Sequence, residues 1–225
     1  MRRSVLQDWI TARTGCTSRE ELDRWQQGRL REALDCAKEN SPFYREHLRA
    51  VRPEDICTRE DLARIPFTTA DQLRADPQRW LCCGGAEVER VVTLKTSGTT
   101  ASPKRIFFRR EDQERTVDFF AHGMGELVSP GDRVLILMPT RQPGSVGDLL
   151  GRALERMGVS AVQGGPVAGI RVSYDLLWET GCSSLVGIPV QVLGLAEYIA
   201  RLPARQRPRL KSVLLSADAA HPALI

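Results

Sequence analysis

Thr96-Ser97-Gly98-Thr99-Thr100-Ala101-Ser102-Pro103-Lys104 stands between two short apolar runs, Val91-Val92-Thr93-Leu94 and Ile106-Phe107-Phe108. Both runs are rich in β-branched and aromatic residues, so the segment reads as a loop joining two strands at a sheet end. Its composition suits an anion. Gly98 opens backbone angles that a side chain forbids, so amide N–H groups can turn toward a phosphate; Ser97, Thr99 and Thr100 add hydroxyl donors, and Lys104 adds a compact positive charge. No Gly is followed directly by Lys and then Ser or Thr, which disfavours a Walker A loop and a P-loop NTPase. The other reading of the same residues is a plain polar turn, which Ser/Thr/Gly/Pro clusters also form.

Downstream of the loop the pattern alternates in the α/β manner. Val134-Leu135-Ile136-Leu137-Met138 carries no polar alternation and predicts a strand buried on both faces. Further strands are expected at 160–162, 184–186 and 212–215, with helices near 111–127, 146–157, 173–180 and 190–201. The predicted fold class is therefore α/β, with a parallel or mixed sheet covered by helices on both faces and with the loop's flanking strands belonging to the same sheet domain. Upstream the chain is helical. Ser18-Arg19-Glu20-Glu21 matches a capping box, and Leu22, Trp25, Leu30, Ala33, Leu34 and Ala37 follow at helical spacing, predicting a helix over about 18–39 that Pro42 ends. Two short helices should follow, opened by Thr58 and by Thr69, the latter with Gln72 in the capping-box position. The division expected is a helical N-terminal segment, 1–88, and an α/β nucleotide-binding portion, 89–225.

Composition limits the function. With 42% hydrophobic and 27% charged residues in 225, the chain can bury a core and is not disordered. A net charge of +4, with basic residues scattered among acids, describes a solvated surface rather than a nucleic-acid footprint. No apolar run is long enough to cross a bilayer, and Gln7 and Asp8 interrupt any signal core after Met1-Arg2-Arg3, so a cytoplasmic protein is expected. The six cysteines show no Cys-x-x-Cys pair; reduced thiols are the default, with a vicinal disulfide or redox role at Cys82-Cys83 as the alternative. His47, His122 and His221 have no carboxylate or cysteine at ligand spacing, so no metal site is indicated.

The loop resembles the Ser/Thr/Gly-rich phosphate loop, ending in Pro-Lys, of the adenylate-forming acyl-CoA synthetase superfamily. Asn40-Ser41-Pro42-Phe43-Tyr44-Arg45-Glu46-His47-Leu48 and Asp61-Leu62-Ala63-Arg64-Ile65-Pro66-Phe67-Thr68-Thr69 are similar to the N-terminal region of its phenylacetate-CoA ligase branch. Gly187-Ile188-Pro189 with Leu193-Gly194-Leu195-Ala196 resembles the strand-turn-helix beside the acyl pocket, and Leu210-Lys211-Ser212-Val213-Leu214-Leu215-Ser216-Ala217-Asp218 resembles the strand leading into the adenine loop.

The resemblance implies that a carboxylic acid is activated with ATP to an acyl-adenylate and then transferred to a thiol, giving a CoA thioester. ATP, Mg2+ and coenzyme A would be the cofactors and a small-molecule carboxylic acid the partner. Such chemistry rests on positioning and on neutralising phosphate charge, so no catalytic side chain is assigned. By the same resemblance Ser97, Gly98, Thr99, Thr100 and Lys104 would hold phosphates, Ser216, Ala217 and Asp218 would touch the nucleotide, and Gly147, Gly187, Ile188 and Pro189 would border the acid. Two positions depart from the family: Ala101 replaces a usual Gly, and Asp218-Ala219 replaces a usual Glu-Pro. The family's remaining motifs would fall beyond Ile225, so the ending resembles a truncation; the chain alone is expected to form no acyl-adenylate at a useful rate, and an unfinished sheet edge would favour association or a homodimer. A non-catalytic binding module, or one half of a split ligase, is the alternative.

Overall fold

The computed structural model describes residues 4–94, 103–166 and 169–218. Helix α1 (Val5–Thr14) is followed by α2 (Arg19–Asn40), which opens on the expected capping box: the Ser18 hydroxyl accepts from the Glu21 N–H at 3.2 Å, and the Glu21 carboxylate accepts from the Ser18 N–H at 3.2 Å. Pro42 does more than end this helix. Ser41 closes α2 by donating its N–H to the Ala37 carbonyl and caps a new helix, α3 (Pro42–His47), by accepting from the Tyr44 N–H, so that Pro42 occupies the first helical position, where its missing N–H costs nothing. A 3-10 turn at Glu60–Arg64 stands where the Thr58 helix was expected, and α4 (Ala70–Ala75) has the Thr69/Gln72 capping box. The core here gathers Leu34, Leu48, Val51 and Ile56, and Phe43 stacks on Trp80 with ring centroids 3.8 Å apart.

Strands β1 (Val88–Leu94) and β2 (Lys104–Arg109) pair antiparallel, with Leu94 opposite Lys104 at the loop end. They hydrogen-bond in a two-stranded sheet of their own. This corrects the expectation of one sheet from about residue 89 onward. Their polar and apolar residues are mixed, as an antiparallel ribbon with wet faces requires, whereas the central parallel strand downstream is continuously apolar from Val134 to Leu137. By its internal contacts the chain forms one unit from Gln7–Asp112 and another from Met1–Leu6 with Gln113–Ile225; the β1–β2 ribbon belongs to the first, with the N-terminal helices, whereas the sequence division at 88 grouped it with the α/β portion.

After α5 (Arg110–Met124) come β3 (Arg133–Leu137), α6 (Val146–Arg156), β4 (Ser160–Gln163), α7 (Ile170–Glu179), β5 (Ser184–Gly187), α8 (Pro189–Ala200) and β6 (Ser212–Leu215). The four strands run parallel in the order β4-β3-β5-β6. Side chains of β3 alternate between two cores. Val134 and Ile136 pack with Met124, Leu150, Leu154 and Val186 on the α5/α6 face; Leu135 and Leu137 pack with Tyr174, Leu177 and Leu195 on the α7/α8 face. The central strands β3 and β5 are thus covered on both sides, the α/β architecture that the sequence predicts, while Val213, Leu214 and Leu215 of the edge strand β6 are exposed.

Candidate functional site

The strand order decides where a ligand can sit. From β3 the chain moves outward to β4, crosses back to β5, and then moves outward the other way to β6. Loops that leave neighbouring strands in opposite directions open a crevice at the strands' carboxyl ends, here between β3 and β5. Gly187, Ile188 and Pro189 lie at the end of β5, with Pro189 the first residue of α8. Gly187 is buried, and a methyl added there would stand 3.0 Å from a Val192 side-chain carbon and 3.2 Å from Leu137. Ser216, Ala217 and Asp218 follow β6, and the Ser216 N–H donates to the Gly187 carbonyl at 3.1 Å, drawing these two predicted groups together. Ala217 holds φ at +73°, a left-handed conformation unfavourable for a residue with a Cβ. Among the described residues it is the non-glycine held in this way, and such strain marks places where the surroundings dictate the backbone.

Gly147, in the first turn of α6, has a packing explanation. A Cβ there would meet the Thr140 methyl at 2.5 Å and the Pro139 carbonyl oxygen at 2.7 Å, and the Gly147 N–H donates to that carbonyl at 2.8 Å. Its role is to let α6 close onto the β3–α6 connection. Lys104 begins β2 and is half-buried, in the other unit. Ser97, Gly98, Thr99 and Thr100, together with Ala101, lie outside the described residues.

Two concavities flank the crevice. An apolar pocket of about 240 Å3 lies between α5, α6 and the ends of β5 and β6, bounded by Phe119, Phe120, Met138, Val146, Leu214 and Ser216. Phe119 and Val146 are each 47% exposed, so large hydrophobic groups rim its mouth. A wider cleft of about 970 Å3 opens beside the loops after β3 and β4, lined by Thr140, Arg141, Gln142, Ser145, Gln163 and Gly164 among others. Ser145 is only 5% exposed, stands at the N-cap of α6 without capping it, and its hydroxyl has no hydrogen-bond partner among the described residues. An unsatisfied buried hydroxyl costs about 1–3 kcal/mol, which makes this one a candidate ligand contact. The sequence reading did not single out Thr140–Ser145, although the rule that ligands gather beyond the carboxyl ends of parallel strands, applied to β3, points to them. No cluster of three or more His, Cys, Asp or Glu able to hold a metal is present among the described residues, nor is any helix there long and apolar enough to cross a membrane.

The α/β fold with its four-stranded parallel sheet is the one found in the N-terminal portion of solved acyl-CoA ligases, which bears out the fold and the likeness read from the sequence. Two relatives illustrate the likeness. Phenylacetate-coenzyme A ligase of Pseudomonas putida is 31% identical over 113 residues, which are 49% of this chain and 24% of that protein. An open conformation of 2-hydroxyisobutyryl-CoA ligase in complex with 2-HIB-AMP and CoA superposes with a TM-score of 0.74 at 24% identity, over 91% of this chain and 46% of that one. The same ligase in its thioesterification state gives 0.73 at 26% identity, over 89% and 44%. The chain therefore spans about a quarter of the curated relative and less than half of the structural one. No family model matches it.

Proposed function

We propose that this chain contributes the nucleotide- and acid-binding portion of an AMP-forming acid–CoA ligase, with a small apolar carboxylic acid, aryl in the manner of phenylacetate, as substrate. The observation that carries the reading is the meeting of the β5 and β6 end loops, through Ser216 and Gly187, at the mouth of an apolar pocket. About 240 Å3 is below the roughly 300–1,000 Å3 of sites for drug-sized ligands, which suits a small acyl group. Its lining is hydrocarbon and aromatic apart from Ser216, so the acid's carboxyl end would lie toward the β6 loop and its apolar end between Phe119, Phe120 and Val146. The Ser216 hydroxyl and the backbone of Ala217 supply polar groups beside this wall, a donor set that fits an acyl-adenylate. The cleft past β3, with Arg141 and the unpartnered Ser145 hydroxyl, supplies a second polar surface suited to a thioester-forming cosubstrate such as coenzyme A. Lys104 would offset phosphate charge of ATP and the Ser97, Thr99 and Thr100 hydroxyls would donate hydrogen bonds to it, and Mg2+ enters only as the ion that accompanies ATP. Chemistry of this kind needs oriented dipoles and charges more than a protein nucleophile.

The test is isothermal titration with adenosine acyl-sulfamates, unreactive analogues of acyl-adenylates, carrying phenylacetyl, benzoyl and 2-hydroxyisobutyryl groups. Val146→Trp changes an exposed rim position and should leave thermal unfolding unmoved while abolishing binding of the aryl analogues. Failure of every analogue to bind, or unchanged binding to the Trp variant, would remove the pocket from the reading.

A further inference from the structure

Within the unit Gln7–Asp112 a cleft of about 470 Å3 opens between α2, the turn at Trp80–Cys83 and strand β2. Three of the six cysteines, Cys36, Cys82 and Cys83, line it, together with Tyr44, Trp80 and Arg109. Cys36 and Cys82 are far apart in sequence, so the fold alone brings them to one cleft. Cys36 is exposed on the last turns of α2, where its sulfur accepts from the Asn40 side-chain N–H at 3.6 Å. Cys82 is half-buried, its thiol 3.7 Å from the Trp80 carbonyl oxygen. Burial pushes the Cys82 thiol up, and the next influence is Cys36, ahead of its own chain neighbour Cys83. Burial also pushes the Cys83 thiol up, with Glu87 next and Cys36 a smaller contributor. All three are free thiols in the structure.

We propose that Cys36 and Cys82 form an oxidant-responsive pair that closes to an intramolecular disulfide on the wall of this cleft when a hydroperoxide reaches Cys36. Cys36 is the solvent-facing member and reacts first. Its thiolate attacks the terminal peroxide oxygen; the O–O bond breaks, an alcohol or water leaves with the proton, and Cys36 becomes a sulfenic acid. The Cys82 sulfur then attacks the Cys36 sulfur, the S–S bond forms, the S–O bond breaks, and water leaves with the Cys82 proton. Two thiols are oxidised by two electrons in all, and one peroxide is reduced. The bond would tie α2 to the segment that feeds β1 and its phosphate-loop ribbon, so the oxidation state of the pair would restrain that ribbon.

The experiment treats the reduced full chain with stoichiometric hydrogen peroxide, blocks remaining thiols with N-ethylmaleimide, and maps peptides without reduction. The expected product is a cross-link between the Cys36 peptide and the Cys82-Cys83 peptide that dithiothreitol reverses, persists in Cys83→Ser and is lost in Cys36→Ser and Cys82→Ser. Cys36→Ser lies at an exposed position, and an unchanged circular-dichroism melt certifies its fold. A cross-link between two chains, a Cys82–Cys83 bond that persists in Cys36→Ser, a cross-link lost in Cys83→Ser, or full alkylation of Cys36 and Cys82 after peroxide would each overturn the proposal.

Discussion

Gly147 and Gly151 lie one turn apart in α6, both buried, and replacing each by Ala should move stability in opposite directions. Helix propensity favours Ala over Gly by up to about 1 kcal/mol in a helix interior, less in the first turn, so that contribution has the same sign at both positions. The surroundings differ. At Gly147 two of the three close contacts of an added Cβ are backbone oxygens, those of Pro139 at 2.7 Å and Met138 at 3.1 Å, and no rotamer change relieves them. The helix must back away from the connection after β3, lengthening the 2.8 Å hydrogen bond from the Gly147 N–H to the Pro139 carbonyl, and overpacking of this kind costs about 1–3 kcal/mol. At Gly151 the nearest atom is the end of the flexible Gln163 side chain, at 3.4 Å, an ordinary contact. Gly147→Ala should therefore lose about 1–2 kcal/mol net, and Gly151→Ala should gain about 0.5–1 kcal/mol. Urea unfolding by circular dichroism measures both as shifts of midpoint at constant slope, and hydrogen exchange on peptides covering β3 and α6 localises them. Equal shifts in one direction would refute the backbone clash as the reason for glycine at 147.

Ser145→Ala should leave stability unchanged or raise it by up to about 1 kcal/mol, since it removes an unpartnered buried hydroxyl, while weakening ligand binding in the cleft; a thermal melt and a titration on the same variant separate the two effects. Ala217→Gly relieves the left-handed backbone and should raise the unfolding midpoint by the equivalent of about 0.5–1 kcal/mol, whereas Ala217→Val should lower it. The Lys211 ammonium, the Ser129 N–H and the Ser183 hydroxyl hold the Asp132 carboxyl below the usual carboxylate range; its stabilising contribution is present above about pH 4 and is lost as pH falls through the lowered value, so Lys211→Met should flatten the acid limb of a stability–pH curve. Lys104→Ala should weaken ATP or pyrophosphate binding by about 1.5–3 kcal/mol, read by titration; equal affinity would take Lys104 out of the phosphate site.

Signals that act within a few residues were the legible ones. Capping boxes at Ser18 and Thr69 placed two helix starts, and the unbroken apolar run at 134–138 placed the central strand of the sheet. Pro42 shows a local rule yielding to its neighbour: with Ser41 able to cap, the proline opens a helix. That β1 and β2 pair with each other in a sheet apart from the parallel one was not legible, because pairing partners are chosen by long-range packing rather than by strand propensity. At the site, Gly187–Pro189 and Ser216–Asp218 were reached through resemblance, and their approach to one another follows from the parallel pairing of β5 with β6. The glycine at 147 was visible but its reason was not, since the clash that forbids a side chain comes from a connection folded back over the helix start. Ser145 carries no motif; only its burial without a partner reveals it.

The interior place of β3 also bears on how the chain is made. Its two neighbours are supplied later, β4 by residues 160–163 and β5 by residues 184–187, so Val134 waits for its partner Ser184 until about fifty further residues have been synthesised. At roughly 5–20 residues per second that is an interval of several seconds during which the most apolar strand of the sheet has at first two unpaired edges and then one. Long-range parallel pairing folds slowly and exposes chains to aggregation. The yield of soluble protein should therefore depend on translation rate and chaperone supply more than on the equilibrium stability of the finished sheet, and slowing elongation across residues 138–184 is the manipulation that would expose this vulnerability.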